Sequence, residues 1–222
     1  MSDHYMTMAD YFLAVHKLIS RGIDISNAHI DGFIKDGFST EQTFDGYLNY
    51  VHALTVLFDS HHKTEDDIAF PFFREALPNT HFEWLFEDHN LITGFIEELQ
   101  PILDALNKRD QVELNLVLCN DVLFKISDRW YGHIGLEEEE FIDLIDGLIT
   151  NDDRVHVFKQ IGDYNFKLLE PHILSFPFML HNLEPQDQQH ILRAYPEEWF
   201  ADLNTPVWRA KWESMIPYLL VE

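Results

Sequence analysis

The chain has 222 residues, enough to bury a substantial core, and that length suits one domain with an extension better than two independent domains. Its 15 Lys and Arg against 39 Asp and Glu leave a net charge of -24 at pH 7, which disfavours nucleic acid and anionic membrane surfaces as partners. Met1 to Asp10 lacks a basic region followed by an apolar run, no stretch approaches the roughly 20 apolar residues that span a bilayer, and the single Cys119 can form no internal disulfide, so the expected location is the cytoplasm.

Four segments carry helical periodicity: about Thr7 to Phe33, Thr40 to Asp67, His81 to Leu106, and Gln111 to Leu148. Three starts pair an oxygen-bearing cap with Glu or Gln three residues on: Ser39 with Gln42, Thr80 with Glu83, and Asp110 with Glu113. The short breaks at Pro78 and at Asn107 to Asp110 predict antiparallel neighbours, hence an all-α, up-down-up-down four-helix bundle over residues 1–150. Residues 151–222 differ in texture, holding six of the nine prolines and three of the five tryptophans. Those prolines argue against long helices, and Trp199, Trp208 and Trp212 need a surface to cover, so a Pro/Trp-rich helical extension packed on the bundle is expected.

Each predicted helix, written as an alternating three- and four-residue seam, should present apolar side chains to the core. The first seam reads Ala9, Phe12, His16, Ile19, Ile23, Ser26, Ile30, Phe33, and the second Phe44, Tyr47, Val51, Leu54, Phe58, His61, Glu65, Ile68. The third reads Phe82, Leu85, His89, Ile92, Ile96, Leu99, Leu103, Leu106. The fourth reads Leu116, Cys119, Leu123, Ile126, Trp130, His133, Glu137, then Phe141 and Leu144 as the helical pitch drifts forward. Six ionisable residues interrupt these seams: His16, His61, Glu65, His89, His133 and Glu137.

In an up-down-up-down bundle, the starts of the first and third helices lie level with the ends of the second and fourth. His16 and His89 stand about nine residues inside their helix starts, and the other four stand within about fifteen residues of their helix ends, so all six can share a layer. Burying four imidazoles and two carboxylates there is costly without a strong partner, and a metal cluster is the economical one. Four histidines supply two nitrogens to each of two ions and both carboxylates can bridge. This mixed donor set suits iron, manganese or zinc.

At these residues the chain resembles the hemerythrin-like HHE cation-binding family. The resemblance rests on His61-His62-Lys63-Thr64-Glu65-Asp66 with Phe70-Pro71 following, on Glu87-Asp88-His89, and on His133-x-x-x-Glu137-Glu138, and it covers about residues 7–148. It implies an oxo- or hydroxo-bridged pair of non-haem irons that binds dioxygen or responds to oxygen and iron. Two positions depart from the oxygen-carrying hemerythrins: Leu85 stands where they have a second histidine, and they place the last carboxylate at the position of Glu138. The departures favour sensing of oxygen, peroxide or iron, or redox chemistry, over reversible carriage.

Three function classes follow: a dioxygen-binding or sensing protein that signals to a protein partner through the extension, a di-iron oxidoreductase acting on peroxide or nitric oxide, and a metal-fastened interaction module. The remaining histidines (His4, His29, His52, His62, His81, His156, His172, His181, His190) read as structural or solvated, with His62 turned away from the core by its one-residue step from His61. Cys119 reads as core, Glu139 as a solvated helix face, and Tyr47 and Ser26 as hydrogen-bonded seam residues.

Overall fold

A computed structural model describes residues 7–220; His4 lies outside the described residues. All regular structure among the described residues is helical. The first helix, α1 (Met8–Asp36), begins at a reciprocal cap in which Thr7 Oγ1 accepts from the Asp10 N–H at 3.0 Å and the Asp10 carboxylate accepts from the Thr7 N–H at 3.1 Å. It ends at Gly37, whose φ of 74° is one that glycine adopts without steric cost.

In α2 (Glu41–Thr64) the cap is Thr40 rather than Ser39, taking the Thr43 N–H at 3.0 Å. The other two expected caps are also not formed. Thr80 instead donates its hydroxyl to the Glu140 carbonyl at 2.7 Å, leaving His81 at the start of α4 (Phe82–Asn107). Helix α5 (Val112–Glu137) follows a tight turn in which Arg109 and Gln111 adopt positive φ, and Gln111 rather than Asp110 precedes its first residue. At Thr80 a contact outside the helix claims the polar group that the local pattern assigned to the helix end.

The second and fourth seams continue past their expected regular course through π-helical turns. Glu65–Ala69 links α2 to the short α3 (Phe70–Phe73), and Glu138–Ile142 links α5 to α6 (Asp143–Ile145). Each such turn holds one residue more than an α-turn, so the buried face advances by one position. Ala69 and Phe70 are consequently buried while Ile68 is half-buried, and Ile145 is buried while Leu144, expected in the core, is exposed.

Helix α1 packs on α2 and α5, and α4 packs on the same two helices, which closes a ring of four long helices around one apolar core. Of the named seam positions, Ala9, Ile68 and Ile96 are half-buried, Leu144 is exposed and the rest are buried. Tyr47 donates to the Ser26 carbonyl at 2.9 Å, and Ser26 donates to the Gly22 carbonyl at 2.7 Å, so both seam hydroxyls are satisfied. No helix is long and apolar enough to cross a membrane among the described residues.

The remaining chain forms α7 (Asn151–Leu168), α8 (His172–His181), α9 (Pro185–Ala194) and α10 (Pro206–Trp212), with 3-10 turns at Glu197–Phe200 and Glu213–Tyr218. The 18-residue α7 is longer than the proline content suggested, because all six prolines of this segment come after it. Pro185 and Pro206 occupy first helical turns, where a missing N–H costs nothing. Helices α7 and α8 and the final 3-10 turn lie on α2, and α9 lies on α1. At Gly46 the approach is closest: a Cβ there would stand 1.8 Å from the Ser214 carbonyl oxygen.

Asn165 of α7 joins the extension to the ring of long helices. Its side-chain oxygen accepts from Ser60 at 2.8 Å and Thr64 at 2.5 Å, and its amide donates to Tyr11 at 3.1 Å and Tyr195 at 2.9 Å. The two tyrosine hydroxyls meet each other at 2.7 Å.

Candidate metal centre

All six residues that interrupt the seams are buried, and each is placed by a different turn of helix: His16 by α1, His61 by the last turn of α2, Glu65 by the π-turn that follows, His89 by α4, and His133 and Glu137 by the last turns of α5. They fall into two adjoining groups whose donor atoms lie within 4.8 Å of one another: His16, His61, Glu65 and Glu137 in one, His89 and His133 with His62 in the other. His62 corrects the expectation that it faces away. Helix α2 is enclosed by α1, α4 and the extension, so a 100° step from His61 leads into the space shared with α4 and α5 instead of into solvent. Its ring stacks on His89 with centroids 4.0 Å apart. The His61-His62 doublet was the available signal; what the seam could not give was the number of sides on which α2 is covered.

Donor separations match those of ligands sharing an ion, since two donors about 2.1 Å from one ion and about 90° apart stand about 3 Å from each other. His16 Nε2 and His133 Nε2 lie 3.3 and 3.4 Å from Glu137 Oε2, His61 Nδ1 lies 3.2 Å from Glu65 Oε1, and His89 Nε2 lies 3.6 Å from Glu65 Oε2. Glu65 and Glu137 therefore each touch both groups.

Carboxylates outside the cluster hydrogen-bond two of the rings and one lies near a third. His89 Nδ1 faces Asp66 at 2.7 Å, His16 Nδ1 faces Glu138 at 2.9 Å, and His133 Nδ1 faces Asp88 at 3.7 Å, with Asp88 itself bound by Arg129. The hydrogen bonds at His89 and His16 hold the proton on Nδ1 and direct the Nε2 lone pair inward, whereas His133 Nδ1 has no hydrogen-bond partner. The Nε2 atoms of His89 and His133 approach to 3.2 Å. Two lone pairs at that distance repel unless a cation or a proton lies between them. Glu138, 38% exposed, thus supports His16 from outside the cluster, while the fully buried Glu137 belongs to it.

The electrostatics carry the same message. Burial and the neighbouring Glu137 push the Glu65 carboxyl well above the ordinary range. Burial would raise Glu137 as well, but His16 and His133 overcome it and hold Glu137 well below. Burial would lower His133, yet Asp88 and Glu137 raise it to about 9, and His16 is raised in the same way by Glu137 and Glu138. His61 and His62 are pulled well below the ordinary imidazole value, first by burial and then by neighbouring histidines. A neutral imidazole is the form that coordinates a metal.

The walls are aromatic. Trp130 packs against His16, His61 and His133 with ring centroids 5.5 to 5.9 Å apart, and Phe70 stacks on His89 at 5.5 Å. A surface cleft of about 350 Å³, lined by Leu13, His16, Ser20, Ile134, Glu138 and His190 among others, reaches the cluster at its His16 edge. Cys119 is buried in the core with its thiol pushed up to about 12, an unreactive state. His29, His52, His172, His181 and His190 are half-buried, and His81 and His156 are exposed. No protein-family model, curated protein or solved structure matches the chain.

Proposed function

We propose that the four long helices form a hemerythrin-like, up-down-up-down bundle that holds two non-haem iron ions, and that the protein binds dioxygen or senses oxygen and iron through them. The observation that carries the reading is the convergence of unsatisfied polar atoms. Of 13 buried side-chain nitrogens and oxygens without a hydrogen-bond partner among the described residues, nine belong to His16, His61, His62, Glu65, His133 and Glu137. Each such atom costs about 1 to 3 kcal/mol when left unpaired, so an unliganded cluster would consume much of an ordinary domain's stability.

Glu65 and Glu137, each near both groups of histidines, would hold the ions together with His16, His61, His89 and His133. Bound ferrous ions supply open coordination positions and electrons for a small diatomic ligand. Asp66 and Glu138 keep the His89 and His16 rings aimed and hold their outward protons, and Trp130, Phe58, Phe70 and Phe141 keep bulk water out. The cleft at His16 and Glu138 gives a small molecule its approach. Sensing is favoured by Asn165, which ties the extension to Ser60 and Thr64, the residues that immediately precede His61 and Glu65.

The test is metal analysis and ultraviolet-visible spectroscopy of protein reconstituted anaerobically with ferrous ion. About two irons per chain are expected, with ferric charge-transfer bands that appear on oxygenation and reverse on its removal. Bands that turn over with peroxide or nitric oxide would indicate an oxidoreductase instead, and a chain that accepts only zinc would reduce the ions to structural fasteners.

A further inference from the structure

Helix α5 carries a second seam. Besides the inward one, an alternating three- and four-residue spacing runs through Leu114, Val117, Asp121, Phe124, Asp128 and Tyr131, and all six are exposed on one outward face. Phe124 is 67% exposed and Leu114 52%. Single exposed apolar residues are ordinary, but this period is the one that elsewhere in the chain marks a side packed against another helix. The face lies between α1 and α4: Tyr131 donates to Asp24 of α1 at 2.6 Å on one side, Lys125 donates to Glu98 of α4 at 3.1 Å on the other, and the extension packs on α2 and α1 instead. Arg129 pairs with Asp88 of α4. Both cations of α5 are thus drawn to α4, and Asp121 and Asp128 enter no ion pair among the described residues.

We infer that the outer seam of α5 is the docking face for a helix of another protein, amphipathic and cationic, whose apolar residues cover Val117, Phe124 and Tyr131 and whose Lys or Arg side chains meet Asp121 and Asp128. A seam of this spacing is matched by a second helix whose side chains enter the gaps between its own. The two aspartates select the occupant. Pairing with a second copy would set Asp121 and Asp128 against the same carboxylates, whether the helices ran parallel or antiparallel about the middle of the seam, between chains that each carry a net charge of -24. An acidic partner or an anionic lipid surface is repelled in the same way, whereas basic residues at those two positions gain charge pairs that Phe124 shields from water. His133 and Glu137 lie on the opposite, inward side of the same helix, so the inference does not depend on what the centre binds.

The probe is a fluorescein-labelled helix of Leu and Lys about as long as the seam, with Leu at three- and four-residue spacing, titrated with the full chain and followed by anisotropy. Its controls are a peptide of the same composition in scrambled order and a helix of Leu and Glu. The Leu and Lys helix should bind at least about 10-fold more tightly than either control. Phe124→Ser, and separately Asp121→Asn with Asp128→Asn, should each weaken it about 10-fold or more in chains of unchanged helical content, whereas Val155→Ser with Asp152→Asn on α7, where Val155 is 71% exposed, should leave it unchanged. Asp121→Lys with Asp128→Lys should turn the preference toward the Leu and Glu helix. Absence of binding, equal binding of the scrambled peptide, or binding indifferent to the substitutions in α5 would overturn the inference. Sedimentation showing self-association that Phe124→Ser abolishes would assign the face to a second copy and overturn the cationic partner.

Discussion

Glu137 and Glu138 are adjacent in sequence, and a 100° turn of helix gives them different tasks. Glu137 is enclosed with His16 and His133, whereas Glu138 reaches His16 from the rim of the cleft. Glu137→Ala should lose bound metal outright, while Glu138→Ala should retain both ions with affinity reduced about 10- to 100-fold, as for other partners that orient a ligand. Titration against a competing chelator distinguishes the two, and equal loss at both positions would mean that Glu138 also ligates. The same residues set the pH response of the metal-free chain. His133 titrates at about 9 when folded, against about 6.5 when unfolded, so its contribution is complete below about pH 6.5 and is lost as pH rises through about 9. His16 and Glu65, both raised on folding, act in the same sense. The melting temperature of metal-stripped protein should therefore fall between about pH 6.5 and 9. Metal-loaded protein, whose ligands have already given up their protons, should show no such fall, and loading at neutral pH should release protons to an indicator dye.

At the scale of the helix, the two π-turns stand in equivalent places. One begins at Glu65 and the other directly after Glu137, so each buried carboxylate of the cluster adjoins a widened turn in which the backbone carries one extra residue. That residue lets the ligand-bearing turn and the aromatic cap beyond it, Phe70 on one helix and Phe141 on the other, both face the core. Glu139 is the exposed residue of the second π-turn. Its deletion should convert that turn to regular helix and keep Phe141 and Ile145 in place while displacing the carboxylate-bearing turn. The expected result is unchanged far-ultraviolet circular dichroism with weakened metal binding. Full metal retention would show that the widened turn has no part in positioning Glu137.

Over the whole molecule, the extension is a cover for α2 and α1, joined by one polar network and one very close backbone approach. Asn165→Ala would strand the Ser60 hydroxyl in the interior, at about 1 to 3 kcal/mol, while the Tyr11 and Tyr195 hydroxyls keep each other as partners. Gly46→Ala would drive a methyl group into the Ser214 carbonyl, and overpacking of this kind costs about 1 to 3 kcal/mol or more. Gly46 lies some four turns of helix from His61, so Gly46→Ala should lower the melting temperature while leaving the metal content of the folded chain unchanged. Asn165→Ala, acting on the residues that flank His61 and Glu65, should lower both. Calorimetry with elemental analysis of the same samples separates the two outcomes.

Helical class, the four long segments and the positions that face their common core were legible in the amino-acid order, because a 3.6-residue period writes the buried side of a helix directly into sequence. The six interruptions of the seams were legible for the same reason: His16, His61, Glu65, His89, His133 and Glu137 occupy positions where the period calls for apolar residues. Three features were decided only by tertiary structure. The cap expected at Thr80 was lost because Thr80 found Glu140 across space, a competition that local pattern does not contain. The register beyond Glu65 and Glu137 shifted because a π-turn is stabilised by what its neighbours pack against, and no residue type specifies it. The inward turn of His62 required knowing that α2 is covered by α1, α4 and the extension together. A helical period states which residues share a face, and only the packing of other elements determines how many faces of a helix are inside.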